Sequence, residues 1–263
     1  MRRWIPFVKN PPTVAVIRLQ GAISNAARTL DDVGLAPLIE AAFKGKPDAV
    51  ALQINSPGGS PVQSSLIAAR IRRLADEKGI PVYAFVEDVA ASGGYWLATA
   101  ADEIYVDRGS IVGSIGVISA GFGLTEFIEK HGIERRVYTA GKSKSQLDPF
   151  RPEKPEDVDR LHGLLDDLHV YFIDHVKSRR AGRLKDGVDL FTGEFWIGQR
   201  GVELGLADGI GHLVPVMKAR FGDKVRFRRY QQRRSLWQRF GATIATDAVG
   251  VIEERAAFAR FGL

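Results

Sequence analysis

Apolar, β-branched runs recur along this chain with room for a helix between most of them, and that alternation restricts the fold more than any other feature. Residues 13–19 (TVAVIRL), 49–54 (AVALQI), 81–86 (PVYAFV), 103–107 (EIYVD) and 135–139 (RRVYT) read as strands. Residues 32–44 and 61–77 instead carry apolar positions three and four apart, as in Leu66, Ile67, Ile71 and Leu74, the spacing of one helix face. Strand alternating with helix predicts right-handed βαβ crossovers, an α/β fold and a largely parallel sheet. Ligands gather at the carboxyl ends of such strands, where NSPGGS (55–60) and DVAAS (88–92) both fall.

Pro155 opens a long helix expected to run to about Arg180, with Val158, Leu161, Leu165, Leu168 and Phe172 on one apolar stripe that needs a partner surface. In residues 191–213, Thr192 reads as a capping residue before a helix, and Gly205 and Gly209 as a glycine-rich turn. No internal repeat is visible. The expected organisation is a basic-apolar N-terminal segment (1–11), a main domain (12–218) and a basic tail (219–263).

Composition narrows the chemistry. With 263 residues and 45% hydrophobic content the chain can bury a sizeable core, and with no cysteine it has no disulfide, thiolate nucleophile or cysteine-based metal site. No phosphate loop or metal-ligand cluster is apparent, so no cofactor or metal is expected. The longest apolar stretches, AVALQI and IGVISAGFGL, fall short of the roughly 20 residues of a membrane span, and no cleavable leader is recognisable, which gives a cytoplasmic expectation. The net charge of +6 is concentrated in Lys224, Arg226, Arg228, Arg229, Arg233, Arg234 and Arg239, interleaved with Phe227, Tyr230, Trp237 and Phe240. Such a segment is either a solvated face or a peripheral contact with anionic lipid at the inner membrane face; nucleic acid is not expected as a partner.

Ser92 lies between two alanines and two glycines, directly after a strand. A serine hydroxyl is a weak nucleophile until a base takes its proton, and acyl transfer also needs donors aimed at the developing oxyanion. A helix starting there would leave the Gly93 N–H free beside the hydroxyl. Pro57 fixes the preceding loop, and Gly58 and Gly59 allow close backbone approach, so the Gly58 N–H can supply the second donor. The plainer alternative makes Ser92 an N-cap and 55–60 a turn. None of the five histidines, His131, His162, His169, His175 and His212, has a triad setting, although one with Asp88 or Asp102 stays open.

INSPGG (54–59), VAASGGYWLATAADEIYV (89–106), GSIGVI (113–118), AGKSKSQLDPF (140–150) and FTGEFWIGQRGVELGLADGIG (191–211) occur together in one order. In that order and spacing the chain, over roughly residues 12–215, resembles the signal peptide peptidase A family, serine–lysine peptidases with the fold of Clp protease and crotonase and its repeated ββα units. The resemblance implies Ser92 as nucleophile, Lys144 as general base, Ser114 as the serine that orients the lysine, and Gly58 at the oxyanion hole, where the free N–H of Gly93 would join it. The family's lysine follows a glycine by three in a segment ending in Pro-Phe, which selects Lys144 after Gly141 and before Pro149 and Phe150. Ser143 stands where the family commonly has an aromatic residue, and Lys142, on the same side of an extended segment, is the competing assignment.

A lysine with the reference pKa of about 10.4 is neutral at pH 7 in only about one molecule in a few thousand, so a lysine base requires a dry site without an acidic neighbour. The resemblance further implies a ring-like homo-oligomer in which the serine and lysine of one site can come from adjacent subunits, and a peptide substrate such as a signal-peptide remnant. Two alternatives remain: a crotonase-type acyl-CoA enzyme, which would place glutamates near the oxyanion site, and a non-catalytic scaffold at a membrane surface.

Overall fold

The computed structural model describes residues 10–26, 29–232 and 255–263. Along the chain come β1 (Thr13–Gln20), α1 (Asp32–Lys44), β2 (Ala49–Ser56), α2 (Pro61–Lys78), β3 (Val82–Ala91) and α3 (Gly93–Ala98). There follow β4 (Glu103–Val106), β5 (Ile111–Gly113), α4 (Thr125–Lys130), α5 (Pro155–Arg179) and β6 (Phe195–Ile197). The last elements are α6 (Gly198–Glu203), β7 (Gly209–Ile210), α7 (Leu213–Phe221) and β8 (Arg226–Tyr230). The sheet runs β6-β5-β3-β2-β1-β8, with β4 beside β3 and β7 beside β4; every pairing is parallel except β5 with β6. The expected α/β architecture with a largely parallel sheet is present.

Both faces of the central strands are covered, which is why they read as nearly unbroken apolar runs. Ile17, Leu19, Leu52 and Ile54 point to the side closed by Leu35, Ile39 and Phe43 of α1 and Ile67 and Ile71 of α2. Val14, Val16, Ala51, Tyr83 and Phe85 point to the other side, under Met217 of α7. Local chemistry sets the helix ends: Asp31 accepts from the Gly34 N–H at the start of α1, Ser60 caps α2 ahead of Pro61, and Gly79 ends α2 in the left-handed region. Arg70 of α2 grips Asp32 of α1 at 2.7 Å and, by hydrogen bonding, holds that carboxyl below the usual range.

β3 positions the site. Its first half pairs with β2 and β4, its last three residues with β5, and the register against β2 shifts between Ile54 and Ser56. The strand thus reaches Ser92 still paired with β2 on one side and with β5 on the other, and Ser92 N–H donates to Gly113 O at 2.8 Å.

Three expectations need correction. Residues 135–139 form no strand: Ile133 and Tyr138 are exposed, and β6 already occupies the free edge of β5. Thr192 caps no helix, because β6 intervenes and α6 starts only at Gly198. The sheet also reaches past residue 218, since β8 pairs with β1 from Thr13 to Ile17. The basic residues Arg226, Arg228 and Arg229 therefore belong to a sheet edge; Arg233, Arg234 and Arg239 lie outside the described residues.

Candidate active site

The strand-to-helix turn at Ser92 has an uncommon backbone. Ser92 adopts φ 52° and ψ −122°, a conformation that costs a side-chain-bearing residue on the order of 1–3 kcal/mol. Among the described residues only Lys46, Ser92, Ser114 and Leu147 are non-glycine residues with positive φ, and two of those are candidate site serines. Ser92 occupies the N-cap position of α3, as the plainer alternative expects, but its side chain makes no capping hydrogen bond. Ser60, by contrast, does cap α2, with its Oγ 3.4 Å from Gln63 N.

Close packing fixes the turn. A methyl on Gly94 would lie 2.3 Å from Ser56 O, and one on Gly93 2.3 Å from Ser64 Oγ, so α3 meets β2 and α2 with no room for side chains. One on Gly58, at φ +100°, would lie 2.7 Å from Gly93 N and 2.9 Å from Ser92 Cβ. The structure thus brings together Gly58, Ser92 and Gly93. As the first residue of α3, Gly93 has an N–H that no carbonyl of its own helix can accept. The Gly58 N–H makes a long 3.3 Å bond to Ser56 Oγ, which in turn donates to Gly21 O at 2.7 Å. Ile23 flanks this loop from the far side, accepting from Ser60 N at 2.7 Å and donating to Gly58 O at 2.9 Å.

The other end of α3 is built from groups that sequence reasoning missed. Arg179 of α5 donates to Thr99 O (2.8 Å) and Ala101 O (3.0 Å), Arg72 of α2 to Ala100 O (3.1 Å), and Arg183 to Asp102 O (2.9 Å). Guanidinium groups thereby hold the carbonyls of the four residues that follow α3, at the end where the helix dipole is negative. In the sequence these arginines look like ordinary outward helix positions. Trp96 stacks on His175 at 4.2 Å and on Phe172 at 4.9 Å, and His175 Nε2 lies 2.9 Å from Thr99 Oγ1. Burial, with the Arg179 charge as a smaller cause, lowers the His175 pKa to about 4, so the ring is neutral at pH 7.

No hydrogen bond links any of the five histidines to Ser92. His131 contacts Phe127 O, His169 Ile115 O, His175 Thr99 and His212 Asp107. The acids of the open triad alternative are engaged elsewhere, Asp88 with Asn55 and Asp102 with Arg72.

Ser114 sits next to the Ser92 turn, since its neighbour Gly113 accepts the Ser92 N–H, and its own N–H donates to Glu194 O at 2.7 Å. Lys144 is exposed in a turn over 141–147 whose last three residues are half-buried, and neither it nor Lys142 makes a side-chain hydrogen bond among the described residues. That turn contacts α5 near Arg160, whereas His169, nine residues on, contacts Ile115 beside Ser114. At 1.5 Å per residue these two levels of α5 are about 13 Å apart. Among the described residues no hydrogen bond joins the side chain of Lys144 to Ser92.

The N-terminal part of α5 is also uncovered. Phe172 and Val176 are buried, but Leu164 is 54% exposed, and Phe122 and Tyr138 in the segment before α5 are 85% and 91% exposed. No described helix is long and apolar enough to cross a membrane.

Comparison with known proteins fits this geometry. The chain is similar to a variant of the 1510-N membrane-bound stomatin-specific protease solved with a substrate peptide, at a TM-score of 0.55 and 16% identity over 90% of this chain and 99% of that one, a likeness of fold. It is 47% identical over its whole length to a Brucella melitensis protein named Na(+)/H(+) antiporter NhaA, of which it spans 39%. It is 32% identical to the chloroplastic serine protease SPPA of Arabidopsis thaliana, over 76% of this chain and 31% of that protein. It is also 31% identical to the Synechocystis protein slr0021, over 75% of this chain and 69% of that one. The family model for peptidase family S49 matches residues 75–220, which run from the end of α2 through the Ser92 turn to α7. A strained serine ahead of a glycine-started helix, on this fold and among these relatives, has one place: the chain belongs to peptidase family S49.

Proposed function

We propose that the protein is a serine endopeptidase that cleaves extended peptides through an acyl-enzyme on Ser92, with Lys144 as its base. The observation that carries this reading is the Ser92 turn: a hydroxyl held in a costly backbone conformation, making no capping bond, beside the unclaimed N–H of Gly93. Strain of this kind persists where surrounding packing over-determines it, and it concentrates at working sites.

In this reading Ser92 Oγ attacks the scissile carbonyl and its proton passes to the neutral Lys144 amine. The ammonium then protonates the departing amine, and water, deprotonated by the same lysine, releases the acyl group. The N–H groups of Gly93 and Gly58 hold the oxyanion; the long bond from Gly58 to Ser56 Oγ is weak enough to yield to a developing charge. Ser114 orients the amine. The substrate lies in extended form beside a strand edge, and signal-peptide remnants are one such class.

Lys144 reaches Ser92 of a neighbouring copy in this proposal. The exposed lysine turn and the uncovered apolar residues of α5 and of the preceding segment support a homo-oligomer with shared sites. The basic edge of β8 and the segment beyond it would meet anionic lipid at the inner membrane face.

Peptide turnover tests the assignment. Ser92→Ala and Lys144→Ala should each abolish it and Lys142→Ala should spare it, and a peptidyl boronate should modify the parent protein and fail on Ser92→Ala. Turnover that survives in Ser92→Ala removes the nucleophile assignment. In the parent, turnover should rise toward alkaline pH, because an amine accepts a proton only when neutral.

A further inference from the structure

Among the described residues the lysine turn has a single side-chain hydrogen-bonding anchor to α5, and one guanidinium provides it. Arg160 Nη1 donates to Ser143 Oγ at 2.8 Å and to Gln146 Oε1 at 3.1 Å, residues that bracket Lys144 on either side. It also lies 3.5 Å from Asp157 Oδ1, one turn back on the same helix. The turn's other bonds are local: Lys144 N–H donates to Gly141 O at 3.3 Å and Gln146 N–H to Ser143 O at 3.2 Å, with Leu147 at φ 53°. A turn tied only to itself can pivot, and a four-carbon lysine stem amplifies the pivot at its amine. Fixing both flanking residues to one point on a 25-residue helix removes that freedom.

The same helix grips the nucleophile at its other end, where Phe172, His175 and Arg179 contact Trp96 and the carbonyls of α3. The acceptors that Arg160 uses are a neutral hydroxyl and a neutral amide, so the cation meets no carboxylate within the lysine turn itself. Its counter-charge, Asp157, stays on α5 with a side chain 15% exposed. Among the described residues no ion pair joins a carboxylate to the Lys144 amine.

We infer that Arg160 is a positioning residue for the reaction, fixing the Lys144 turn to α5 through Ser143 and Gln146 so that the amine is presented in one orientation. Ser143, where the resembling family commonly has an aromatic residue, acts here as a hydrogen-bond acceptor for that anchor. The inference rests on Lys144 being the general base.

The test is steady-state peptide turnover by the full chain, with assembly size by light scattering and melting temperature on the same samples. Arg160→Ala should lower kcat by about tenfold to a hundredfold, the scale of a small misplacement of a reacting group, with KM within about twofold and assembly and melting unchanged. Arg160→Lys, which keeps a donor but not the fork, should restore part of the loss. The double variant Ser143→Ala, Gln146→Ala removes the acceptors and leaves α5 intact; it should reproduce the Arg160→Ala loss, and it decides the matter if Arg160→Ala does not assemble. Unchanged kcat in the double variant, with Lys144→Ala inactive, overturns the positioning role and leaves the base assignment standing. Activity in Lys144→Ala overturns both. A loss confined to KM, or one that tracks melting, also overturns it, because it marks a binding or structural role.

Discussion

The two halves of the proposed dyad sit in opposite surroundings. The Ser92 turn is enclosed by backbone: Gly58, Gly93 and Gly94 approach neighbours so closely that a methyl at any of them would meet an atom at 2.7 Å or less. The Lys144 turn is open, with exposed residues, local hydrogen bonds and one arginine anchor. One half is closely packed within the single chain; in the proposed reading the other would acquire dry surroundings from a neighbouring copy that covers it. The difference teaches that the serine alone is a finished element of the single chain.

The comparison breaks most visibly in activity. Ser92→Ala and Lys144→Ala should each lower turnover by about 10⁴-fold or more, read by peptide hydrolysis. Mixing the two inactive variants should recover part of it, since sites pairing an intact serine with a neighbour's intact lysine then form. No recovery on mixing, in assemblies shown to exchange subunits, would place both groups in one chain.

Stability sharpens the contrast. Gly94→Ala drives a methyl to 2.3 Å from a backbone carbonyl and should cost about 3 kcal/mol by denaturant unfolding, whereas Gly141→Ala, with open space around it, should pay only for its φ of +98°. Ser92→Gly should stabilise the fold by about 1 kcal/mol relative to Ser92→Ala, because glycine adopts φ 52° without strain.

Acid should act on the enclosed half. The folded His175 pKa of about 4 lies below the ordinary value of 6.5, so the unfolded chain binds the proton more readily. This contribution is full above pH 6.5 and is lost as pH falls toward 4, by up to about 3 kcal/mol, while His175→Phe should flatten that stretch of the melting-against-pH curve. The smallest effect belongs to a control: Arg73→Ala breaks an exposed pair with Glu77 on α2 and should cost only about 0.5 kcal/mol.

The same contrast explains what could be read from the sequence. β1, β2, β3, α1, α2 and α5 were legible because each spans several periods of its apolar pattern, and the Ser92 and Gly58 loops because both fall at carboxyl ends of such strands. β5, β6 and β7 are two or three residues long, too short for any period to register. β8 was hidden by its arginines, which suit an edge strand yet read as tail. Residues 135–139 misled because β-branched composition says nothing about whether an edge is free to receive it. The arginines that close α3 carry no local signal, since their acceptors are backbone carbonyls of helix neighbours brought together only by tertiary contact.

A helix of six residues has little tendency to form alone, and α3 is held at its far end by Arg179, about eighty positions downstream. The short helix that follows Ser92 therefore takes part of its support from residues far downstream in the chain. In the proposed reading, a nascent chain that has not yet delivered α5 would carry Ser92 without the contacts that hold the far end of α3.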